Sequence, residues 1–409
     1  MKLINNEYKI QNISLLSLAR QYGTPLYIYD AEVISIQVEN LTTAFEGLNF
    51  KIKYAVKALT NISILKYIKQ LGCDVDTVSL EEVHICMKAG FVPEQITYTP
   101  NSVSFAEIMQ AVQLGVFVNI DNMHILTEWG KKYGNTIPCS IRINPHVMAG
   151  GNLKISTGHI DSKFGISIDY TEALLGVVHK YNINVAGIHV HTGSDISDIE
   201  VFMKVANKIL EVATKFENIK IIDFGGGYKV PYKPDDKYAD LAMFGANVKK
   251  AISKFGKEYG ATPQVWFEPG KYLVSQCGIL LVHTNVLKHA PNTTFAGIDS
   301  GLNHLIRPMM YGAHHEIVNV SNPTGNPTPV SVVGNICETD TFAWQRSIPE
   351  VRQGDYLAIL NAGAYGMSMA SQYNSRPRPA EVLVYHGEPY LIRKRETLED
   401  ILHNQIEVF

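Results

Sequence analysis

Four groups of residues in this chain are of types that do chemistry together. They are Lys57 in KIKYAVKAL, His189 and His191 in HVHTGS, the glycines of Asp223-Phe-Gly225-Gly226-Gly227, and Glu268 in FEPGK. A lysine at the carboxyl end of a buried strand can be a desolvated amine, which condenses readily with carbonyl compounds; its plainer reading is a strand end reaching for water. Glycines after an apolar strand let backbone N–H groups cradle a phosphate, or simply make a tight turn. No Gly-Lys-Ser/Thr is present, which excludes a P-loop, and GGGY is not a dinucleotide fingerprint. His189 and His191 project to one face of a strand, as two metal ligands do, but no third ligand has matching spacing, so no metal is expected. An imidazole laid on a flat aromatic group, with the Ser194 hydroxyl on a phosphate, fits the neighbours better. Glu268 can keep a ring nitrogen protonated by ion pairing, or it can pair with Lys271.

The elements that must position these residues follow a single rhythm from about residue 31 to residue 278. Strand-like apolar runs at 52–57, 73–79, 96–100, 116–121, 139–145, 185–193, 220–227 and 265–270 alternate with amphipathic helical stretches such as 80–89, 104–114 and 202–216. Eight strands alternating with helices over this span predict one (β/α)8 barrel of the TIM type. Function in such a barrel collects at the carboxyl ends of the strands. Those ends read Lys57, Asp76, Asn101, Asp121, Arg142 with Asn144, His191, the triglycine and Glu268. After residue 279 the rhythm changes to short strands (279–287, 294–298, 330–333, 356–360, 381–385 and 388–391) without long helices. This predicts a C-terminal all-β domain, a sandwich or barrel over 279–409, with 323–329 as an exposed loop and a helical tail at 397–404. His386-Gly387 fits a hairpin connection only loosely. Residues 1–30 form a preface with a helix at 14–22 and a strand at 25–30, expected to pack with the C-terminal domain.

Composition narrows the function classes. The chain has 409 residues, is 46% hydrophobic and carries a net charge of -3, giving no electrostatic case for nucleic acid or an anionic membrane. Its five cysteines, Cys73, Cys86, Cys139, Cys277 and Cys337, are odd in number and lack CxxC spacing, which speaks against a disulfide framework or a zinc site. The start, MKLINNEYKI, has no apolar segment of a signal peptide, and no apolar run approaches the ~20 residues of a membrane span. A cytoplasmic protein is expected.

An amine, a phosphate cup and a carboxylate for a pyridinium are what pyridoxal 5'-phosphate requires. Tyr54-Ala-Val-Lys57, Ser162-Lys-Phe-Gly165, His189-x-His-Thr-Gly-Ser194, Asp223-Phe-Gly-Gly-Gly227 and Glu268-Pro-Gly-Lys271 together resemble the fold-type III pyridoxal-phosphate decarboxylases. So do Arg307-Pro-Met-Met-Tyr311, Cys337-Glu-Thr-Asp340 and Gly363-Ala-Tyr365 with Tyr373-Asn374, in the same order. The resemblance runs from about Tyr27 to the end and is strongest to the branch acting on diaminopimelate. It implies that Lys57 holds the cofactor covalently and that His191 stacks on its face. Asp76, Ser194, Gly225, Gly226, Gly227 and Tyr365 would complete the cofactor contacts, with Glu268 on the pyridine nitrogen. It implies a head-to-tail homodimer in which Cys337 and Glu338 complete the partner's site, Cys337 as the acid that reprotonates carbon after CO2 leaves. Its plain alternative is a buried structural cysteine.

The second ammonium and carboxylate of diaminopimelate would be met by Glu338 and by Arg307 with Tyr311, with Lys271 and Tyr365 also facing substrate. Three departures from the family pattern stand out: EPGK in place of EPGR, Cys-Glu-Thr-Asp in place of Cys-Glu-Ser-Gly-Asp, and no glycine pair after Asp76-Thr-Val-Ser79. Lys271 is a point charge without the arginine fork. It keeps in play a related decarboxylase of secondary metabolism acting on another amino acid, carrier-bound or of D configuration. An alanine-racemase-like enzyme shares the two-domain plan but leaves Cys337-Glu338 unexplained, and a cofactor-carrying binding protein would need only the barrel.

Overall fold

Period-two apolar runs and capped amphipathic helices build a closed parallel barrel. The computed structural model describes residues 1–147, 158–233 and 235–409. Its barrel strands are β1 (Phe50–Ala55), β2 (Asp74–Thr77), β3 (Ile96–Tyr98), β4 (Phe117–Ile120), β5 (Cys139–Asn144), β6 (Val185–His189), β7 (Ile221–Asp223) and β8 (Gln264–Phe267). Each pairs in parallel with the next, and β8 returns to β1 through Val265 opposite Phe50, so no edge is left. Most of the long barrel helices start where a polar side chain caps them. Ser79, Ser104, Asn122, Asp198 and Asp240 each accept a backbone N–H of the following first turn.

The barrel belongs to a compact unit formed by Gln37–Val230 and Lys237–Tyr272. Helices cover its outside, so both faces of its strands are buried. The alternation of Ile52, Tyr54 and Val56 by itself predicts a strand buried on one face only, and the structure corrects that expectation. Lys53, on the polar phase of the alternation, is 1% exposed, with its Nζ 3.3 Å from Asp74 and 4.2 Å from the centre of the Trp266 ring. β1 also stops short of its expected end. The strand ends at Ala55, and Lys57 sits on the one-turn 3-10 segment Val56–Ala58, closed by Leu59 N–H on the Val56 carbonyl. Apolar alternation through Val56 cannot distinguish the last residues of a strand from the start of such a turn.

The other unit comprises Met1–Ile36, Pro231–Asp236 and Leu273–Phe409. Its sheet is built on the long strand Gly278–Ala290, flanked by Leu26–Asp30 from the start of the chain and by Thr293–Ile298 and Tyr356–Ile359. Leu26–Asp30 also pairs in parallel with Ala380–Tyr385, which places the N-terminal strand inside this sheet rather than at an edge. Leu15, Leu18, Leu26, Ile28, Ile279 and Val382 share its core.

Among the strands that were not expected are Ile317–Asn319 and Thr341–Pro349. In the second, Phe342 and Ala343 are buried in succession and Gln345 turns left-handed (φ 42), so the period of two is broken. Its partner Pro327–Val333 takes in part of the expected 323–329 loop. The prolines fit because 327–329 pair on one side only, while Val332 and Val333 have neighbours on both. His386 (φ 52) and Gly387 (φ 76) make a two-residue hairpin turn of the type that matches strand twist. Among the described residues no helix is long and apolar enough to cross a membrane.

Candidate active site

The carboxyl ends of β6, β7 and β8 bring a histidine and two carboxylates into one buried cluster. Ligand atoms of His189, Asp223 and Glu268 lie within 4.8 Å of one another. Nε2 of His189 is 3.2 Å from Oε2 of Glu268, so Glu268 pairs with this histidine, while Lys271 Nζ meets Asp195 at 2.5 Å. Burial alone would raise the Glu268 carboxyl, but His189, His191 and Lys57 outweigh it and hold it at about 2. Burial also lowers His189, against the Glu268 charge and hydrogen bond that raise it. Asp223 and Asp76 go the other way. Burial first, and then the Glu268 charge, pushes both well above the ordinary carboxyl range. The cluster therefore concentrates its negative charge on Glu268.

The remaining rim residues arrange themselves around this charge. Asp76 accepts from the Thr99 hydroxyl at 2.5 Å, and Asn119 donates to Thr99 at 2.8 Å. Arg142, 6% exposed, lies 4.7 Å from the centre of the Phe164 ring and faces Glu268, Asp121 and Asp76. Asn101 holds Asp121, and Asn144 holds the His159 carbonyl, so both fix loops. Lys57 is exposed although its neighbours Val56 and Ala58 are buried. Its charge acts on Glu268, Asp76 and His191.

The triglycine is wedged where no side chain fits. Gly225 (φ 68) and Gly227 (φ 107) are left-handed. A Cβ on Gly226 would stand 2.1 Å from the Glu268 carbonyl oxygen, and one on Gly227 would stand 2.1 Å from that of Gly193. Gly225 N–H donates to Asp223 Oδ1 at 2.9 Å, and Gly226 N–H donates to His191 Nδ1 at 3.3 Å. Ile196 N–H joins the Gly227 carbonyl, tying the half-buried Ser194 segment to the same turn. His191 is thus clamped through one ring nitrogen, and burial and Lys57 push it well down, so its ring is neutral.

In the C-terminal unit, Arg307 opens the short helix Arg307–Tyr311, and three tyrosine rings surround its guanidinium. Tyr232, Tyr365 and Tyr311 lie 5.4, 5.9 and 6.0 Å from it. Tyr365 adopts a left-handed backbone (φ 56) to take its place. Tyr232 went unnoticed in the sequence, where it lies only five residues beyond the triglycine. Cys337 and Glu338 are exposed, and all five cysteines are free, so Cys337 is not the buried structural residue of the plainer reading. Asp223 and His189 were visible as residues of the DFGGG and HVH motifs, but spacing within one strand could not show that Glu268, two strands away, would join them.

These residues fit pyridoxal phosphate. Oε1 of Glu268 is buried, ionised and without a hydrogen-bond partner among the described residues, which is the acceptor a protonated ring nitrogen needs. The same histidine–carboxylate trio also has the spacing to share a cation, a convergence that sequence spacing did not reveal.

Residues 31–275 match the family model described as pyridoxal-dependent decarboxylase, pyridoxal binding domain. A diaminopimelate decarboxylase of Methanothermobacter thermautotrophicus is 38% identical over 400 residues, covering 95% of this chain and 93% of that protein. The crystal structure of the Methanocaldococcus jannaschii diaminopimelate decarboxylase in co-complex with L-lysine superposes with a TM-score of 0.91 at 32% identity, covering 100% of this chain and 98% of that one. The Helicobacter pylori diaminopimelate decarboxylase complexed with L-lysine gives a TM-score of 0.87 at 32% identity, covering 95% and 98%. Likeness along nearly the whole chain, added to the lysine, glycine turn and buried carboxylate of the barrel rim, settles the family: this chain belongs to the diaminopimelate decarboxylases among the pyridoxal-dependent decarboxylases.

Proposed function

We propose that this chain converts meso-2,6-diaminopimelate to L-lysine and CO2, the last step of lysine biosynthesis, with pyridoxal 5'-phosphate as its cofactor. The observation that carries the reading is Glu268, a buried carboxylate kept ionised at about 2, with one oxygen on His189 and the other awaiting a donor. When bound, the cofactor supplies an electron sink for the pair left behind as CO2 departs.

The residues divide the work. Lys57 would hold the cofactor covalently; its exposed amine stands on the turn just beyond β1. Neutral His191, clamped by Gly226 N–H, would lie on the ring face. Ser194, Gly225, Gly226, Gly227 and Tyr365 would take the phosphate, and Asp76 would add a further contact. Glu268 keeps the ring nitrogen protonated, because giving up its charge is unfavourable beside His189 and Lys57. Arg307, aligned by its tyrosine rings, would grip the distal carboxylate of the substrate with Tyr311. Glu338 would take the distal ammonium, and Lys271 adds a positive charge that Asp195 partly neutralises. Cys337 gives its proton to the carbon that lost CO2, and water restores it.

The proposal includes a head-to-tail homodimer in the cytoplasm, in which Cys337 and Glu338 complete the partner's site. Their exposure in a single chain and the five unpaired cysteines support it. The barrel, residues 31–278, would be the cofactor domain. Residues 279–409, with 1–30 packed against them, would carry the substrate-facing arginine and the acid.

The test is product analysis with purified, cofactor-loaded protein and meso-diaminopimelate. L-lysine and CO2 should form in equal amounts, and Lys57→Ala should lose turnover together with the cofactor absorbance. CO2 without lysine, or a Lys57→Ala protein that keeps both properties, would overturn the assignment.

A further inference from the structure

Two adjacent residues on one segment of the C-terminal unit are gripped by two adjacent residues on another. Cys337 and Glu338 follow the strand Pro327–Val333 and are exposed. Tyr373 and Asn374 lie on the turn Tyr373–Ser375. Asn374 meets Cys337 at two points: its Oδ1 accepts the Cys337 backbone N–H at 2.9 Å, and its Nδ2 donates to Sγ at 3.1 Å. One residue along, the Tyr373 hydroxyl donates to Oε1 of Glu338 at 2.7 Å. The turn that makes this match has an unusual backbone. Asn374 (φ 58) and Ser375 (φ 53) are both left-handed, a conformation that asparagine tolerates better than most residues.

A grip of this kind has chemical consequences. An N–H directed at sulfur occupies one lone pair, so the thiol proton must point elsewhere. The same N–H stabilises negative charge on sulfur once that proton has gone. The tyrosine cannot take over this task at neutral pH. Its hydroxyl is already given to Glu338, and the bond to Glu338, with Cys337 nearby, pushes it up to about 12. The Asn374 amide, 3.1 Å from Sγ, is the donor aimed at the sulfur.

We propose that Asn374 is a positioning residue for the protonation step, orienting the Cys337 thiol as the acid and stabilising the thiolate it leaves. This rests on the decarboxylase reading above. In the step, the S–H bond breaks and a C–H bond forms at the carbon that lost CO2. The electron pair of the broken bond stays on sulfur, and a proton from water later restores the thiol.

Two variants of the holoenzyme test the role. Asn374→Asp keeps an oxygen for the Cys337 N–H and suits the left-handed turn, but replaces the donor with a charged oxygen. Asn374→Gly keeps the turn and removes the amide. Iodoacetamide reports on Cys337 directly, because the other four cysteines are buried. In both variants alkylation of Cys337 at pH 8, read by mass spectrometry, should slow by about fivefold or more. The kcat on diaminopimelate should fall by about tenfold with KM unchanged. Introduced into Cys337→Ala, Asn374→Asp should cost nothing further, since a residue acting through the thiol has nothing left to act on.

Unchanged alkylation in both variants, or an equal kcat loss in the Cys337→Ala background, overturns the proposal and leaves Asn374 a structural residue. Should Asn374→Asp fail to load cofactor, Asn374→Gly decides. A wild-type protein that releases no CO2 from diaminopimelate removes the decarboxylase reading, while the alkylation comparison still decides the grip.

Discussion

Glu268 is where the electrostatics of the site are resolved. Three buried carboxyl groups (Asp76, Asp223 and Glu268) cannot all ionise together, and His189 and Lys57 select the one that does. The signs set opposite pH dependences. Glu268, lowered in the folded state to about 2 from 4.5, contributes stability that is present above 4.5 and is lost as pH falls toward 2. Asp223, raised in the folded state, adds a cost that grows as pH rises above its ordinary 3.8. Asp223→Asn keeps the oxygen that accepts Gly225 N–H and removes that cost. Its apoprotein should melt about 2–4 °C above wild type at pH 7, with the gain shrinking toward pH 4. A lower melting point at pH 7 would show that the Asp223 charge is stabilising. Of this cluster the sequence offered Asp76, Glu268 and the two histidines as candidates, and Asp223 only as the start of the glycine motif. The partner of Glu268 was beyond it, because the choice between Lys271 and His189 depends on how β6 and β8 lie across the barrel, not on spacing along the chain.

At the scale of elements, the barrel was legible because each strand is a short apolar run and most of the following helices open on a capping side chain. What stayed hidden were features that tertiary packing imposes on a local pattern. Lys53 is buried because helices cover what a period-two reading takes for a solvent face. Thr341–Pro349 escaped notice because its left-handed Gln345 breaks the alternation. Lys57 leaves the strand for a 3-10 turn. The triglycine turn is the most constrained of these elements, with Gly226 and Gly227 equally tight. Gly226→Ala places a methyl 2.1 Å from the Glu268 carbonyl oxygen, so either the turn or the end of β8 must move. Cofactor affinity, titrated by absorbance, should fall at least about tenfold, a cost typical of misplaced binding groups. Unaltered affinity would mean that the turn does not shape the phosphate site.

For the whole molecule, the proposed dimer would share its active sites between two chains. If Cys337 serves the partner's Lys57, mixing inactive Lys57→Ala with the strongly impaired Cys337→Ala should raise activity well above that of either alone. Random pairing gives half mixed dimers, each with one intact site of two, so recovery should approach ~25% of wild type. No recovery from subunits shown to exchange would place both residues in one chain's site. Substrate choice is the most direct test of the account as a whole, since Arg307 with its tyrosines and Glu338 are assigned to the two distal charges of diaminopimelate. The measurement is CO2 release by the cofactor-loaded protein from meso-diaminopimelate, ornithine, arginine and L-lysine, side by side. The account predicts release from diaminopimelate alone. Release from one of the other three, or from none while the cofactor absorbance is present, would contradict it.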